Sequence, residues 1–116
     1  MNARLKGNKA ERYAEAFLVR HKLVLVQRNY RCRFGEIDLI MRDGETLVFI
    51  EVRMRSSRDF GGAGSSITVS KQQKVVHAAR HYLLSLKVEP CCRFDAVLLS
   101  SENGNDIEWI RNAFDE

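Results

Sequence analysis

The sequence predicts a three-layer α/β domain in which a mixed β-sheet lies between helices. Two segments carry apolar residues at helical spacing, and five shorter apolar runs bounded by turn residues are typical of strands. These segments follow one another in the order α-β-β-β-α-β-β. At 116 residues, the chain is expected to form a single domain over 1–116, which is long enough to bury one core.

Helical spacing predicts the first helix over about residues 8–21 and a second one from Ser70. The first has apolar residues at i, i+3, i+4, i+7 and i+8: Ala10, Tyr13, Ala14, Phe17 and Leu18. In the second, Ser70 and Gln73 form a predicted capping box. Its expected inward stripe comprises Val75, Ala78, Ala79, Tyr82, Leu83 and Leu86.

The five predicted strands cover about 23–30, 35–42, 45–54, 93–100 and 107–110. Pro90 separates the second helix from the fourth strand, and Asn103-Gly104 predicts the turn into the last. Residues 56–66 contain three glycines and four serines, a composition typical of a mobile loop.

Composition limits the protein classes that fit. No apolar run approaches the roughly 20 residues of a membrane span, and the first residues lack the apolar stretch of a secretory signal. The cysteines Cys32, Cys91 and Cys92 have no C-x-x-C spacing, so we expect a reducing, cytoplasmic environment. The net charge of +4 slightly favours polyanionic partners, but it does not by itself identify a nucleic-acid-binding protein.

Two carboxylates interrupt the predicted second and third strands. Asp43-Gly44 predicts a two-residue turn between them, which would place Asp38 opposite Phe49 and on the same face as Glu51, one diagonal step away. That face also carries Ile40, Leu47 and Phe49. The other face should pack against a helix with Ile37, Leu39, Met41, Thr46, Val48, Ile50 and Val52.

Two buried acids require a compensating cation, because one unpaired buried carboxylate costs several kcal/mol and two neighbours repel. A hard divalent ion fits, since Mg²⁺ is typically bound by one or two carboxylates with water and phosphate oxygens. Pairing with Arg53, Arg55 or Arg93 is the alternative. The spacing alone leaves both open.

One residue on each helix could join the acids. Glu11 lies about 20° round the helical wheel from Leu18, at the border of the apolar stripe. Lys71 falls in line with Val75, on the inward side of the first turn of the second helix. It either extends outward to solvent or supplies an amine to the acids.

Basic residues around an aromatic ring predict a nucleic-acid-binding surface, with a solvated strand end as the alternative. The candidates near the first strand are Arg28, Tyr30, Arg31 and Arg33, and those beside the 56–66 loop are Arg55 and Arg58. His77 and His81 have the i, i+4 spacing of metal ligands but fall on the polar side of their helix, so we expect them to be exposed.

Several motifs in order resemble those of the YraN family over nearly the whole chain. They are G-x-x-x-E-x-x-A at 7–14, RNYR at 28–31, GEIDLI at 35–40, VFIEVRMR at 48–55, FGG at 60–62, K-x-x-K at 71–74, RFDAV at 93–97 and WIRNAF at 109–114. That family is similar to the restriction-endonuclease-like PD-(D/E)xK superfamily, close to archaeal Holliday-junction resolvases.

The resemblance implies roles for individual positions. Asp38 matches the metal-binding Asp of the superfamily and Glu51 the acid of the D/E-x-K signature, with the Val52 carbonyl as a further ligand. Glu11 matches the helix-borne Glu of resolvases. The signature Lys is Arg53 here, which can contact phosphate but cannot accept a proton. Lys71 is the candidate for a relocated amine.

The resemblance therefore implies a Mg²⁺- or Mn²⁺-dependent nuclease acting on DNA, branched or single-stranded, with Asp38, Glu51, Arg53 and Lys71 in the catalytic site. By similarity to resolvases it would be a homodimer. One alternative is a nucleic-acid-binding module of the same fold that has lost cleavage. The other is a scaffold whose charges serve folding alone.

Overall fold

The computed structural model describes residues 3–54, 67–100 and 106–115, with side chains from residue 9 onward. Its helices and strands are α1 (Ala3–Arg20), β1 (Val24–Cys32), β2 (Gly35–Asp43), β3 (Thr46–Met54), α2 (Val69–Leu83), β4 (Cys92–Leu99) and β5 (Ile107–Phe114). The predicted order α-β-β-β-α-β-β is confirmed. Within these residues, no helix is long and apolar enough to cross a membrane.

The five strands form one mixed sheet in the order β1-β2-β3-β4-β5. Neighbouring strands are antiparallel except β3 and β4, which run parallel. A parallel pair needs a crossover connection, and α2 lies in that connection. The predicted α/β class with a mixed sheet is therefore confirmed.

Each face of the sheet is covered by one helix. The α1 face contains Ala10, Ala14, Leu18, Leu23, Leu39, Met41, Val48, Ile50, Val97 and Leu99. The α2 face contains Ile37, Ile40, Leu47, Phe49, Ile67, Val75, Val76, Ala78, Ala79, Phe94, Ala96 and Phe114. The two helical stripes predicted from spacing thus pack on opposite sides of the sheet, and burial of these side chains is the main stabilising term.

Several predicted boundaries are wrong. Helix α1 begins five residues earlier than expected, and β5 continues four residues further, to Phe114. Helix α2 is capped by Thr68, whose Oγ1 accepts a hydrogen bond of 3.1 Å from the Lys71 backbone amide, so the Ser70–Gln73 capping box is wrong. The predicted loop at 56–66 and the turn at 103–104 lie outside the described residues.

The register of the β2–β3 hairpin also differs from the prediction. Asp43 pairs with Thr46, so the two turn residues are Gly44 and Glu45, and Gly44 has a φ of 62°. Ile40 consequently lies opposite Phe49. The shift of two positions keeps alternate residues on their predicted faces, because side chains alternate with a period of two.

Beyond the Leu39–Ile50 pair the hairpin ladder stops, and the next residues on the two strands are Asp38 and Glu51. Asp38 therefore lies beside Glu51 rather than opposite Phe49. The alternation of β2 also breaks here, because Ile37 packs in the α2 layer while Leu39, which was predicted to share its face, packs in the α1 layer.

Gly35 allows the β1–β2 turn to touch α2. Its φ is 152°, and a Cβ at this position would lie 3.1 Å from the Lys74 carbonyl oxygen and 3.2 Å from the Lys74 Cβ. A side chain would therefore push the turn away from the helix in addition to straining the backbone.

We predict that Gly35→Asn lowers the free energy of unfolding by about 1–3 kcal/mol, because neither the backbone conformation nor the space suits a side chain. Urea denaturation followed by circular dichroism measures the change. Gly44→Asn is the matched control, since Asn tolerates its φ of 62° and nothing lies within 4 Å of the added Cβ. Equal losses for the two variants would contradict the packing argument.

Candidate functional site

Glu51 is a buried acid that lacks a well-formed hydrogen bond among the described residues, although the Asp38 backbone amide is close enough to favour its ionised form. It lies in β3, its side chain is 1% exposed, and neither carboxylate oxygen has a hydrogen-bond partner among the described residues. The Lys71 Nζ is 3.6 Å from Oε1, beyond normal hydrogen-bond distance. Burial first, and the charge of Asp38 second, raise the pKa of Glu51 to about 8.

Asp38 occupies the place where the β2–β3 ladder stops. Its Oδ2 accepts a hydrogen bond of 2.8 Å from the backbone amide of Val52, which would otherwise face β2. Burial raises the pKa of Asp38, and the Val52 hydrogen bond and the charge of Lys71 act in the opposite direction. The carboxylate thus lies between the two strands, beside Glu51.

Glu11 approaches the same carboxylates from α1. Burial raises the pKa of Glu11 to about 7, followed by the charges of Asp38 and Glu36, and a hydrogen bond shared with Asp38 favours its protonated form. A side-chain hydrogen bond from Asn29 opposes that rise. Helix α1 and strands β2 and β3 therefore bring Glu11, Asp38 and Glu51 to one end of the sheet.

Sequence reasoning missed Asn29. Its φ of 51° is left-handed, a conformation that Asn adopts more readily than most residues, and it stands on β1 across from Asp38. Asn29 and Asp38 are not paired, although the residues on both sides of them pair in the same register. An asparagine in the middle of a strand-forming segment was the available signal.

Neither Arg53 nor Arg93 forms an ion pair with Asp38 or Glu51. Arg53 makes no ion pair within 4 Å with Asp38 or Glu51, and its Nε is buried without a hydrogen-bond partner among the described residues. Arg93 instead pairs with Asp43 at 2.9 Å and with Asp95 at 3.1 Å. Arg55 lies outside the described residues. Within the described part of the chain, the Lys71 amine forms the ion pair with Glu51, and the Lys71 side chain is 28% exposed.

The acids supply some, but not all, of the ligands that a divalent cation needs. Among the residues described, no three acidic, histidine or cysteine side chains converge closely enough to hold a metal by themselves. Mg²⁺ does not require such a set, because it keeps several waters and uses one or two protein carboxylates. The two unpartnered oxygens of Glu51 beside Asp38 meet that smaller requirement.

Comparison with known proteins places the chain in a family. The model of "Uncharacterised protein family UPF0102" matches residues 10–99. A UPF0102 protein of Nitrosospira multiformis is 83% identical over 115 residues, covering 99% of this chain and 97% of the relative. The chain belongs to the UPF0102 family.

Two further relatives of this UPF0102 protein cover nearly its whole length. One from Nitrosomonas europaea is 62% identical over 96% of this chain and 94% of the relative. One from Methylobacillus flagellatus is 54% identical over 93% of this chain and 95% of the relative. UPF0102 is the family that the sequence motifs indicated under the name YraN, so that resemblance is confirmed.

A second buried acid of the UPF0102 protein, Asp95, contrasts with Glu51. Asp95 is fully buried, yet it accepts hydrogen bonds from Arg93 Nε at 3.1 Å, Trp109 Nε1 at 2.9 Å and the Asn112 backbone amide at 3.1 Å. These donors satisfy the carboxylate and join β4 to β5. Asp95 is therefore a structural acid, and sequence reasoning did not distinguish it from the others.

The predicted nucleic-acid-binding residues divide into two groups. Arg28 donates hydrogen bonds of 2.7 and 2.9 Å to Glu15 of α1, away from α2. The second group lies near the β1–β2 turn, where Arg31 pairs with Glu36 at 3.1 Å and Arg33 lies over the Phe34 ring. Tyr30 belongs there too. Arg55 and Arg58 lie outside the described residues.

We predict that the free energy of unfolding falls as pH rises from about 4.5 to about 8. The folded protein retains a proton on Glu51 that the unfolded chain releases, so the stabilisation present at low pH is lost through this window. Replacing this acid by Gln should remove roughly 2–4 kcal/mol of the difference between pH 5 and pH 8.

Urea denaturation in EDTA at both pH values measures this effect. Glu45→Gln is the matched control, because Glu45 is an exposed acid at the other end of the same hairpin and should leave the wild-type profile unchanged. Parallel profiles for wild type and the Glu51→Gln variant would contradict the prediction.

We predict the opposite behaviour for Asp95. Asp95→Asn should destabilise the protein by roughly 3 kcal/mol at pH 8, because it weakens three hydrogen bonds and leaves Arg93 partly unpaired. Glu51→Gln should stabilise the protein at the same pH. Thermal melts at pH 8 compare the two variants, and equal destabilisation would show that the two acids do not differ as described.

Proposed function

We propose that this UPF0102 protein is a Mg²⁺- or Mn²⁺-dependent nuclease that hydrolyses phosphodiester bonds in branched or single-stranded DNA. The observation that carries the proposal is Glu51, a buried carboxylate whose two oxygens have no well-formed hydrogen bond within residues 3–54, 67–100 and 106–115 and which lies beside a second carboxylate. Such a pair is costly for folding alone, and it is favourable for a cation that the protein must hold.

The donor set supports a hard cation. Asp38 and Glu51 would hold the metal, with the Val52 carbonyl oxygen as a further ligand and Glu11 at the border of the site. The metal would supply a Lewis acid for a phosphoryl oxygen and a means of ionising water near neutral pH. Asp38 is already fixed for this role by its hydrogen bond from the Val52 amide.

The cationic side chains would act on the substrate. The Lys71 amine lies between Glu51 and solvent, where it can contact a phosphate oxygen or orient water. A guanidinium is a fork of hydrogen-bond donors, so the part of Arg53 is to bind phosphate and to balance developing negative charge. Its Nε is buried and has no hydrogen-bond partner among the described residues, so any contact with phosphate would come from the terminal nitrogens of the guanidinium.

The motif resemblance supports the same conclusion. Asp38, Glu51 and Arg53 follow the spacing of the PD-(D/E)xK signature, with Arg in place of Lys. The superfamily Lys is associated with activating water, which Arg cannot do by proton transfer. In this proposal the Lys71 amine takes that position from α2. A homodimer, as in resolvases, is part of the proposal by similarity.

A nucleic-acid-binding module without cleavage is the second candidate. Two observations favour it: the Lys71 amine already lies 3.6 Å from Glu51, and no three potential ligands converge among the described residues. In that case the lysine replaces the metal as the neutralising charge. Metal binding separates the two candidates.

We predict that Mn²⁺ or Mg²⁺ binds to the wild-type protein, raises its melting temperature and releases protons at pH 7, because raised-pKa carboxyl groups must ionise to bind a cation. Calorimetry in two buffers of different ionisation enthalpy measures both binding and proton release. Asp38→Asn should abolish binding, and Glu45→Gln should retain it. Wild-type protein that binds neither metal would favour the binding module.

We predict cleavage of at least one substrate in a panel of linear duplex, single-stranded, flapped and four-way DNA, with Mn²⁺ or Mg²⁺ and not with EDTA. Asp38→Asn and Glu51→Gln should each lower the rate by about 100-fold or more, because each removes a charge that holds the metal. Arg53→Lys should retain activity. Cleavage that persists in both carboxylate variants would show a contaminating nuclease.

A further inference from the structure

The β1–β2 turn presents an exposed aromatic ring next to α2. Arg33 and Phe34 are the two turn residues between the paired Cys32 and Gly35. Phe34 is 39% exposed, and its ring centroid lies 5.7 Å from that of His81 and 6.3 Å from that of His77. A half-exposed ring beside two exposed imidazoles is an unusual surface for a strand turn, because burial of such a ring is normally favourable.

The ring rests on a rigid support. The Tyr30 hydroxyl and His81 Nδ1 form a hydrogen bond of 2.6 Å, and the Tyr30 ring packs edge-on against Tyr82 at 5.2 Å. The close approach of Gly35 to the Lys74 backbone fixes the turn against the helix. Tyr30, predicted from sequence as a stacking residue, is thus part of the support, and Phe34 is the exposed ring.

Positive charge surrounds the ring. The Arg33 guanidinium carbon lies 4.9 Å from the Phe34 centroid, so a planar cation and an aromatic face are adjacent. Lys74 is exposed on the helix beside the turn. Glu36, which follows the turn on β2, pairs with Arg31 at 3.1 Å. Aromatic rings and guanidinium planes in a basic surface are the groups on which unpaired bases stack.

We propose that Phe34 and Arg33 form a stacking platform for an unpaired base of single-stranded DNA, with Lys74 contacting the adjacent phosphate. This inference rests on the proposed nucleic-acid function and specifies its substrate as one with an unpaired strand beside the site. A duplex does not fit this surface, because its bases are already stacked on one another.

The platform and the acids are connected through α2. Lys71, Lys74 and His77 follow one another along the helix at intervals of three residues, so the distance from Lys71 to His77 along the helix axis is about 9 Å. A single strand bound at Phe34 could therefore pass Lys74 and reach Lys71 and Glu51 within a few nucleotides. Its phosphates would meet lysines on the way.

Phe34 also has a structural part in the fold, since it contacts two histidines of α2. The test must therefore separate stacking on DNA from support of the helix. Phe34→Leu keeps an apolar side chain against His77 and His81 but removes the aromatic face. Phe34→Trp keeps an aromatic face.

Fluorescence anisotropy with a labelled 12-nucleotide oligothymidine in EDTA measures binding without metal or cleavage. We expect Phe34→Ala and Phe34→Leu each to weaken binding at least about five-fold, the loss of one stacked base, while Phe34→Trp binds like wild type. Salt dependence gives a second readout: Lys74→Gln should reduce the slope of log affinity against log salt by about 0.7, and Phe34→Ala should not change it.

Val26→Ala is the matched control, because Val26 lies on the same strand with a nearly equal exposure of 40% but away from the turn. It should bind like wild type. Wild-type protein that does not bind the oligonucleotide, Phe34→Leu protein that binds it fully, or a duplex of equal length bound as tightly would each overturn the platform. Thermal melts confirm that each variant is folded.

The experiment also separates this inference from the nuclease proposal. Metal-dependent cleavage with oligonucleotide binding that is independent of Phe34 would overturn the platform and leave the nuclease intact. Binding that depends on Phe34, without cleavage of any substrate, would support the platform and overturn the nuclease.

Discussion

The hydrogen bond from the Val52 amide to Asp38 Oδ2 fixes the position of the Asp38 carboxylate next to Glu51. It replaces a backbone ladder bond with a side-chain bond, so a carboxylate enters the sheet at the point where β2 and β3 separate. The neighbouring Glu51 then has a negative charge beside it, and its carboxylate oxygens accept no well-formed hydrogen bond from the part of the chain that is described. The raised pKa values of Glu51 and Glu11 follow from that arrangement and from burial.

Asp95 and Glu51 are both buried carboxylates of the sheet, but their surroundings differ. Asp95 receives three donors from β4 and β5, which join these strands on the α1 side. Glu51 lies on the neighbouring strand with the Lys71 amine at 3.6 Å, and its raised pKa keeps a proton on it at neutral pH. A buried carboxylate with hydrogen-bond donors stabilises the fold, and one with a strongly raised pKa is a candidate for a functional group.

Much of this arrangement was predictable from the sequence, because it depends on periodicity. The α-β-β-β-α-β-β order and the helical stripes come from apolar spacing, and the placement of Asp38 near Glu51 requires only that the turn keep the parity of the hairpin. The turn itself was misplaced by one residue, since Gly44 adopts its left-handed φ as the first turn residue rather than the second. Local spacing does not distinguish these two registers.

Other features depended on three-dimensional contacts without a local sequence signal. The donors to Asp95 come from residues that are distant in sequence, and the pairing of Arg93 with Asp43 removes a cation that the sequence left available. Thr68 rather than Ser70 caps α2, because several polar residues near the helix start can serve equally well. The role of Tyr30 as a support depends on His81, which lies 51 residues away.

The separation of β2 from β3 has a mechanical consequence. Past Ile50, the residues of β3 pair with β4 alone, through the parallel register that continues from Glu51–Ala96 to Met54–Leu99. On the β4 side of Glu51, the side chains of Val97, Leu98 and Leu99 are fully buried and hold β3 in place. The position of Glu51 therefore depends on the packing of β4. A substitution that creates a cavity in β4 would make the carboxylates more mobile, although the substituted residue does not contact them.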